Sequence, residues 1–573
     1  MYDQNHHNDN YRPTWMGNTK YSNDSPKYWT SKTQKRLTNV SYITGPSSQE
    51  NEYNQTRYNQ NHPKTLKKEQ MKLKNGMSLF STLKMQFTDY CEHSTLHGLR
   101  YVGDQRMSII ERCFWAGAFI TAVCVAAFFI SNIYNKWENS PVIISISPTY
   151  TELDTIPFPA ITVCNLNQAR KSEALNILEE GSELEKRLLE DFCNSNNSFA
   201  DAGSQETEVE TGNWENVGQS CTEMLHLCYW KSISVKCEDY FNSALTDEGL
   251  CCSFNKVHRD YQFHSPSDYG DLNQTYVLEP YVDWTPERGY HSDEPIESTP
   301  KRTTGAGTHL GLTLILDAQI ENYYCSSTTS VGFKIVLHSP VENPRVSAFG
   351  FLASPSRVTR VLIKPQISES SPNIRSIDIA KRQCYFANER NLTFYRTYTQ
   401  KNCHLECIAK TTLRICNCVP YHLPKNKSTR ICNRNKEECT TQVKLSVTEI
   451  SKNDHECKCL PACFEITYDR QSSNAIIDRS VQIRTDYLAG KSQKYFEKNM
   501  AILEFYFETK TFTKNVKGEL FGFTDFLSST GGLLGLFLGF SFLSAVELFY
   551  YITIKVCKTN LQRNKDTVYP FTK

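Results

Sequence analysis

The 573 residues carry 63 Lys+Arg against 62 Asp+Glu, a net charge of +1, so no global basic field argues for nucleic acid. That length fits roughly three to four domains of about 150 residues each, and a mean hydropathy of −0.50 excludes a many-pass transporter while leaving room for a few spans. Twenty-two cysteines are too many for a reducing cytosol unless they bind metal or do redox chemistry.

The charge is unevenly placed. Residues 1–112 hold 16 Lys+Arg and 10 Asp+Glu, residues 555–573 hold 5 and 1, and everything between is net acidic. Basic ends around an acidic middle ask for a membrane between them.

Residues 1–85, rich in Asn, Gln, Tyr, His and Lys without apolar periodicity, read as a disordered tail. A short segment, 86–112, leads to Cys113–Tyr134, CFWAGAFITAVCVAAFFISNIY, which has no charged side chain. Its length, about 33 Å as a helix, crosses a hydrocarbon core. A core helix of a soluble protein is the alternative, but such helices rarely stay uncharged so long. The stretch begins too far into the chain for a cleaved signal peptide.

The loop 135–527 holds the folded body. Val142–Ile146, Ala160–Val163, Leu310–Leu316 and Gly332–Leu337 are short apolar or alternating runs bounded by Pro, Gly and Ser, and predict strands. In Ser172–Phe192 the apolar pairs Leu175/Leu178 and Leu184/Leu188 fall on opposite faces of one continuous helix, so two helices broken near Gly181 are expected. A sheet core with helical excursions, mixed α/β, is the economical reading. Eighteen of the cysteines lie from Cys164 to Cys463, an even number that reads as an oxidised extracellular framework. Sequons at Asn196, Asn273, Asn391 and Asn426 fall in this loop and are candidate glycosylation sites, but three more at Asn23, Asn39 and Asn54 fall in the tail, so their count decides nothing.

Ten cysteines crowd into 384–463. On a helix Cys403 and Cys407 share a face about 6 Å apart; on an extended segment Cys457 and Cys459 do so about 6.6 Å apart. Two parallel rungs would stitch such faces together, with Cys384 and Cys463 closing the outermost loop. Zinc is the alternative, and C-x-C beside C-x3-C lacks its usual ligand spacing.

Gly531–Ile554, GGLLGLFLGFSFLSAVELFYYITI, is a second span by length, closed by Lys555 and Lys558. Gly531, Gly535 and Gly539 recur on one helix face, where small residues permit close helix packing in lipid. Glu547 is the one acid in either span, costly unless it meets water or a partner: a ring of pore-facing carboxylates would favour cations, and plain pairing between helices is the other reading. Two spans place both termini on one side, which the basic ends make the cytoplasm.

Read in order, these segments resemble the degenerin/epithelial sodium channel family, nearest its insect pickpocket branch. The motifs are His97-Gly98, FPAITVCNLN at 158–167, GLCCSFN at 249–255, GLTLILDAQ at 311–319, the ten-cysteine module, CLPACFEITY at 459–468 and GGLLGLFLGFSFLSAVELF at 531–549. Each is weak alone; together, over about 90–560, they are specific.

The resemblance implies an integral membrane protein with two transmembrane helices flanking a disulfide-rich extracellular domain of palm, β-ball, finger, thumb and knuckle, assembled as a trimer. The implied divisions are 1–85 and 86–112 in the cytoplasm, a first helix 113–134, an extracellular 135–527 with 384–463 as the thumb-like module, a second helix 528–556, and a cytoplasmic 557–573. It implies the pairs Cys384–Cys463, Cys403–Cys459, Cys407–Cys457, Cys416–Cys439, Cys418–Cys432, Cys164–Cys251 and Cys228–Cys237. Cys193, Cys221, Cys252 and Cys325 depart from the acid-sensing pattern, and Cys193–Cys221 with Cys252–Cys325 is the expected arrangement. Gly539-Phe540-Ser541 resembles the family's Gly-x-Ser selectivity filter, where the second helix is interrupted and backbone oxygens and the Ser line a constriction, with a bulky Phe where a small residue is common. Glu547 falls at a family acid, His97 and Gly98 at the gating motif, and Ser528 at the degenerin position, where a small side chain lets the pore close. Where acid-sensing relatives place a Trp, three positions before the first module cysteine, this chain has Lys381, which weakens a simple proton-gated reading.

The function so implied is the pore-forming subunit of a voltage-independent, sodium-permeable, amiloride-sensitive cation channel at the plasma membrane, gated through its extracellular domain in sensory or epithelial cells. It needs no cofactor and no metal, sodium being the permeant ion, and its partners are related subunits in a homo- or heterotrimer, membrane lipid and an unidentified extracellular ligand. A non-conducting accessory subunit or two-pass receptor is the alternative. An ATP-gated two-pass channel would need a Lys/Arg phosphate cluster, and no HExxH, GxSxG or P-loop supports an enzyme. Force, osmolarity, protons, a peptide or a small chemical all remain open as the stimulus.

Overall fold

A computed structural model of the chain describes residues 79–139, 141–193, 217–266, 281–449, 457–478 and 480–558. The tail 1–78, the C-terminal segment 559–573 and the sequons at Asn196 and Asn273 lie outside the described residues; Asn391 and Asn426 are exposed.

Helix α1 (Leu79–His93) and the short α2 (Leu99–Gly103) precede α3 (Ile109–Asn139), whose 31 residues extend the predicted span at both ends. It is the one unbroken helix among the described residues long and apolar enough to cross a membrane.

The body is built on two sheets. β2 (Ala160–Asn165), from the FPAITVC motif, is buried at every position because it lies inside the smaller sheet. Its neighbours there are β7 (Gly249–Phe254) and β10 (Phe333–His338), with β6 (Phe241–Thr246) and β11 (Phe351–Ala353) outside them, all antiparallel. The larger sheet runs β1 (Val142–Glu152), β15 (Thr511–Glu519), β12 (Arg357–Ser370), β14 (Met500–Phe507), β8 (Leu312–Asp317), β4 (Leu225–Trp230), β5 (Ile233–Val235), with β13 (Glu465–Ile476) also on β12. β12 pairs in parallel with β14 and β15; the other pairs are antiparallel. Phe158, Trp230, Phe254 and Phe507 meet edge-on or tilted between the sheets, with centroids 5.2–6.2 Å apart. The four predicted strands fall on β1, β2, β8 and β10; β8 starts two residues later than expected because Thr308–Leu310 forms a 3-10 turn. A small third sheet pairs β3 (Asn167–Arg170) with β9 (Tyr323–Ser326).

α4 (Lys171–Glu180) and α5 (Glu183–Cys193) break at Gly181, as the opposed apolar pairs require. In the cysteine module, α6 (Gln400–Cys416) starts on Thr399, whose hydroxyl accepts from the Asn402 amide. Cys403 and Cys407 on its face bond Cys459 and Cys457, with Cα separations of 5.8 and 5.9 Å. Cys416 reaches Cys439 on α7 (Glu437–Glu449), Cys418 bonds Cys432, and Cys384–Cys463 closes the base. All ten sulfurs are spent in disulfides, which leaves none for zinc. Cys164–Cys251 and Cys228–Cys237 bond as well.

The remaining four pair differently from expectation: Cys193 bonds Cys325 and Cys221 bonds Cys252. The physical reason is the register. Cys252 pairs with Val163 across the β2–β7 ladder, close to the turn that carries Cys221, while β9 lies beside β3, which leads into α4 and α5.

Candidate pore segment

The second apolar stretch is not one straight helix. α8 (Phe523–Leu538) and α9 (Phe542–Phe549) meet at a bend of 73°, whereas hydropathy alone gives a continuous 531–554. Local chemistry explains the break. Gly539 adopts φ +64°, the left-handed closure that favours glycine, and its amide still bonds Gly535 O at 2.9 Å while the Phe540 amide turns back to Leu534 O at 3.2 Å. Ser541 then starts a new helix: its hydroxyl accepts from the Ser544 amide at 3.3 Å, and the Ser544 hydroxyl accepts from the Ser541 amide at 3.2 Å. Gly-Phe-Ser is thus a stop followed by a start. α9 continues into a wider π-helical turn, Tyr550–Lys555.

The segment before α3 folds onto this break. Gly98 takes φ +82°, a conformation glycine allows, and turns the chain between α1 and α2, where a Cβ would meet Trp115 only at ordinary contact, 3.7 Å. The turn carries His97 to Gly539: the His97 amide donates to Leu538 O at 2.9 Å, and a Cβ on Gly539 would lie 2.6 Å from the imidazole. Thr95 reaches further down α9. Its hydroxyl donates to Glu547 Oε2 at 2.9 Å and lies 2.9 Å from the hydroxyl of the buried Ser544, while its amide donates to the same carboxylate at 3.3 Å. Beyond, Lys555 pairs with Asp89, and Tyr551 packs edge-on against Tyr90 at 5.3 Å.

His97, Gly98, Gly539, Ser541 and Glu547 are therefore brought together, with Phe540 at the bend. Ser528 is not among them: it lies exposed on α8 well before the break. A Cβ on Gly531 would meet nothing within 4 Å, and one on Gly535 would meet only the Phe540 carbonyl at 3.9 Å, so neither position is closed off by a neighbouring helix of this chain. α8 meets α3 through aromatic rings instead, Phe129 on Phe537 at 6.1 Å and Trp137 on Phe526 at 5.1 Å.

The family model described as amiloride-sensitive sodium channel matches residues 90–551. The chain belongs to that family. Pickpocket protein 28 of Drosophila melanogaster is 40% identical over 507 residues, covering 85% of this chain and 81% of that protein. The sodium channel protein Nach of the same species is 25% identical over 513 residues, covering 86% and 91%. Human acid-sensing ion channel 2 is 24% identical over 506 residues, covering 84% and 89%. As a member of the amiloride-sensitive sodium channel family, the chain is an ion-channel protein with a disulfide-rich extracellular domain, not an enzyme.

Within this channel family member, sequence reading missed Thr95 and Ser544. The one signal available was that Glu547 needs a partner in an apolar stretch, and nothing in the spacing says that the partner lies more than four hundred residues upstream. Lys381, noted for the aromatic it replaces, donates to Glu138 at the far end of α3 at 2.7 Å.

Proposed function

We propose that the chain is the pore-forming subunit of a voltage-independent, sodium-permeable, amiloride-sensitive cation channel of the plasma membrane, gated through its extracellular domain, in sensory or epithelial cells. The observation that carries this reading is the break at Gly539-Phe540-Ser541, bonded by the pre-span segment at His97 and followed by a carboxylate. α3 is the first span, the bent pair α8–α9 is the second, and both termini are cytoplasmic. Non-helical backbone is tolerated at membrane depth only where protein or a water-filled path satisfies it. Three copies, identical or related, bring three such breaks around an axis, so that their carbonyls and Ser541 hydroxyls replace part of a sodium ion's hydration shell. Glu547 contributes negative potential below them, and Thr95 holds its orientation. Gly531 and Gly535, open in the single chain, face neighbouring subunits. His97 and Gly98 set the gate, and Ser528 is the small residue at which the pore closes. Asn391 and Asn426 carry glycans on the extracellular face.

The test is whole-cell current from Ser528→Val, with external sodium against an impermeant cation and with amiloride added. The substitution makes the stimulus unnecessary. A constitutive, amiloride-blocked inward sodium current that Glu547→Lys abolishes supports the reading. No current despite surface expression supports an accessory subunit, and an anion-carried current overturns a cation channel.

A further inference from the structure

Residues 281–303 form a strap that leaves the core and returns to it. Its root is fixed. Trp284 is buried in the main core beside Tyr290, the Val282 amide donates to Thr299 O at 2.9 Å, and the Tyr290 hydroxyl donates to Pro300 O at 2.6 Å. The Arg302 guanidinium lies 4.1 Å from the Tyr290 ring and donates to the carbonyls of Glu294, Pro295 and Asp154. Its tip is a turn closed by the Gly289 amide on Thr285 O, with Gly289 at φ +67°.

At that tip stands Glu287, and both its oxygens grip the base of the cysteine module. Oε1 accepts from Arg375 at 2.8 Å and Oε2 accepts from the Ala387 amide at 2.8 Å. Behind the grip, the Arg375 and Ile377 carbonyls accept from the buried Arg382 at 3.0 and 3.2 Å, and Arg382 also donates to Cys384 O at 3.1 Å and pairs with Glu389. Its neighbour in the same one-turn helix, Lys381, makes the ion pair with Glu138. Among the described residues no other hydrogen bond or ion pair joins 371–384 to α3. A continuous set of polar contacts thus runs from the strap, through a buried arginine hub, to the end of the apolar helix.

We propose that Glu287 is a latch: it holds the module base in place, and its release is transmitted through Arg382 and Lys381 to the outer end of α3. A force or ligand that withdraws the strap then acts on the membrane helix without touching it. This rests on the reading above that the extracellular domain drives the gate. A charged carboxylate on an amide and a guanidinium suits a latch, because such bonds are strong when made and are lost together.

Hydrogen exchange of the full-length purified protein, followed by mass spectrometry, tests it. Glu287→Ala is expected to speed exchange about tenfold at Ala387, the loss of one charge-assisted bond, and to speed it also at 378–384 and 134–139. Lys381→Ala is expected to raise exchange at 134–139 while Ala387 stays protected. If Glu287→Ala does not fold, Glu287→Gln, which keeps the shape and the amide acceptor, gives the same pattern at smaller amplitude. A rise confined to Ala387, with 134–139 unchanged, overturns the latch. The measurement does not need conduction. If exchange travels to 134–139 but Ser528→Val carries no current, the latch stands and the channel reading falls; current with purely local exchange gives the reverse.

Discussion

The Thr95 hydroxyl donates to the Glu547 carboxylate at 2.9 Å across 452 positions of sequence, and the same side chain lies 2.9 Å from the Ser544 hydroxyl that caps α9. The acid in the apolar stretch is therefore held by the segment that precedes the first apolar helix, and the start of α9 is held by the same residue. Removing the hydroxyl leaves both groups short of a partner at a cost of about 1–3 kcal/mol. Thr95→Val in the Ser528→Val background is expected to change open probability roughly tenfold in single-channel records, while Thr95→Ser leaves it unchanged. Equal behaviour of the two would show that the hydroxyl does not matter.

Gly539 and Gly531 look alike in sequence, and they should respond differently. Gly539→Ala puts a methyl into the His97 ring on a backbone already at φ +64°, a left-handed cost of about 1–2 kcal/mol before any clash. Expected is loss of sodium current with surface expression retained. Gly531→Ala meets nothing within 4 Å inside the chain, so its effect reports only on neighbouring subunits. Surface biotinylation beside whole-cell current separates the two cases.

How far the fold was legible follows from these residues. An uncharged run of about one membrane thickness, Cys113–Tyr134, declares itself through composition, and α3 contains it. The β2 and β8 strands declare themselves through apolar runs between turn residues. Hydropathy does not declare the bend in the second apolar stretch, because Gly539, Phe540 and Ser541 hardly alter it; the resemblance of Gly-Phe-Ser to a filter that interrupts the helix does, and the local pairing of a left-handed stop with a hydroxyl cap produces it. Thr95 was illegible for a different reason, since its partner is set by how the chain folds back at Gly98. The pairing of Cys193, Cys221, Cys252 and Cys325 depends on which strands are neighbours, and cysteine spacing carries no information about that.

Mass spectrometry of non-reduced peptides should recover Cys193–Cys325 and Cys221–Cys252 and should not recover Cys193–Cys221. The first closes a loop of 132 residues and the second one of 31. In the chain-entropy picture their removal costs about 5 and about 4 kcal/mol. Cys193→Ser/Cys325→Ser is therefore expected to lower surface expression at least as much as Cys221→Ser/Cys252→Ser, as read by surface labelling.

Acid should weaken the body through His338. Its Nδ1 donates to Ser339 O at 2.9 Å and its Nε2 lies 2.9 Å from the buried Thr162 hydroxyl, a bond either ring form can make, so it is burial that favours the neutral ring. Burial, and then the charge of Lys256, push it down to about 3. The folded form thus refuses a proton that the unfolded chain takes up near pH 6.5. This contribution is complete above pH 6.5 and is lost as pH falls toward 3, by up to about 5 kcal/mol. Lys256, which burial pushes down to about 8, acts with the same sign in an alkaline window, adding stability as pH rises from 8 toward the ordinary lysine value of about 10.4. Thermal melts of the solubilised protein between pH 7 and 4 should show a steep fall in Tm that His338→Gln flattens.

The strands that lead into the two apolar helices are partners. Val142, just after α3, pairs with Glu519, just before α8, and the Leu520 amide donates to Pro141 O at 2.8 Å. The near ends of the helices cannot part beyond a strand spacing of about 5 Å without tearing that ladder. Sliding one helix past the other is therefore resisted where they leave the sheet. What the ladder does pass on is torque: twisting the β1–β15 ribbon turns both helices together, so the sheet works on them as a torsion bar rather than as a pull cord.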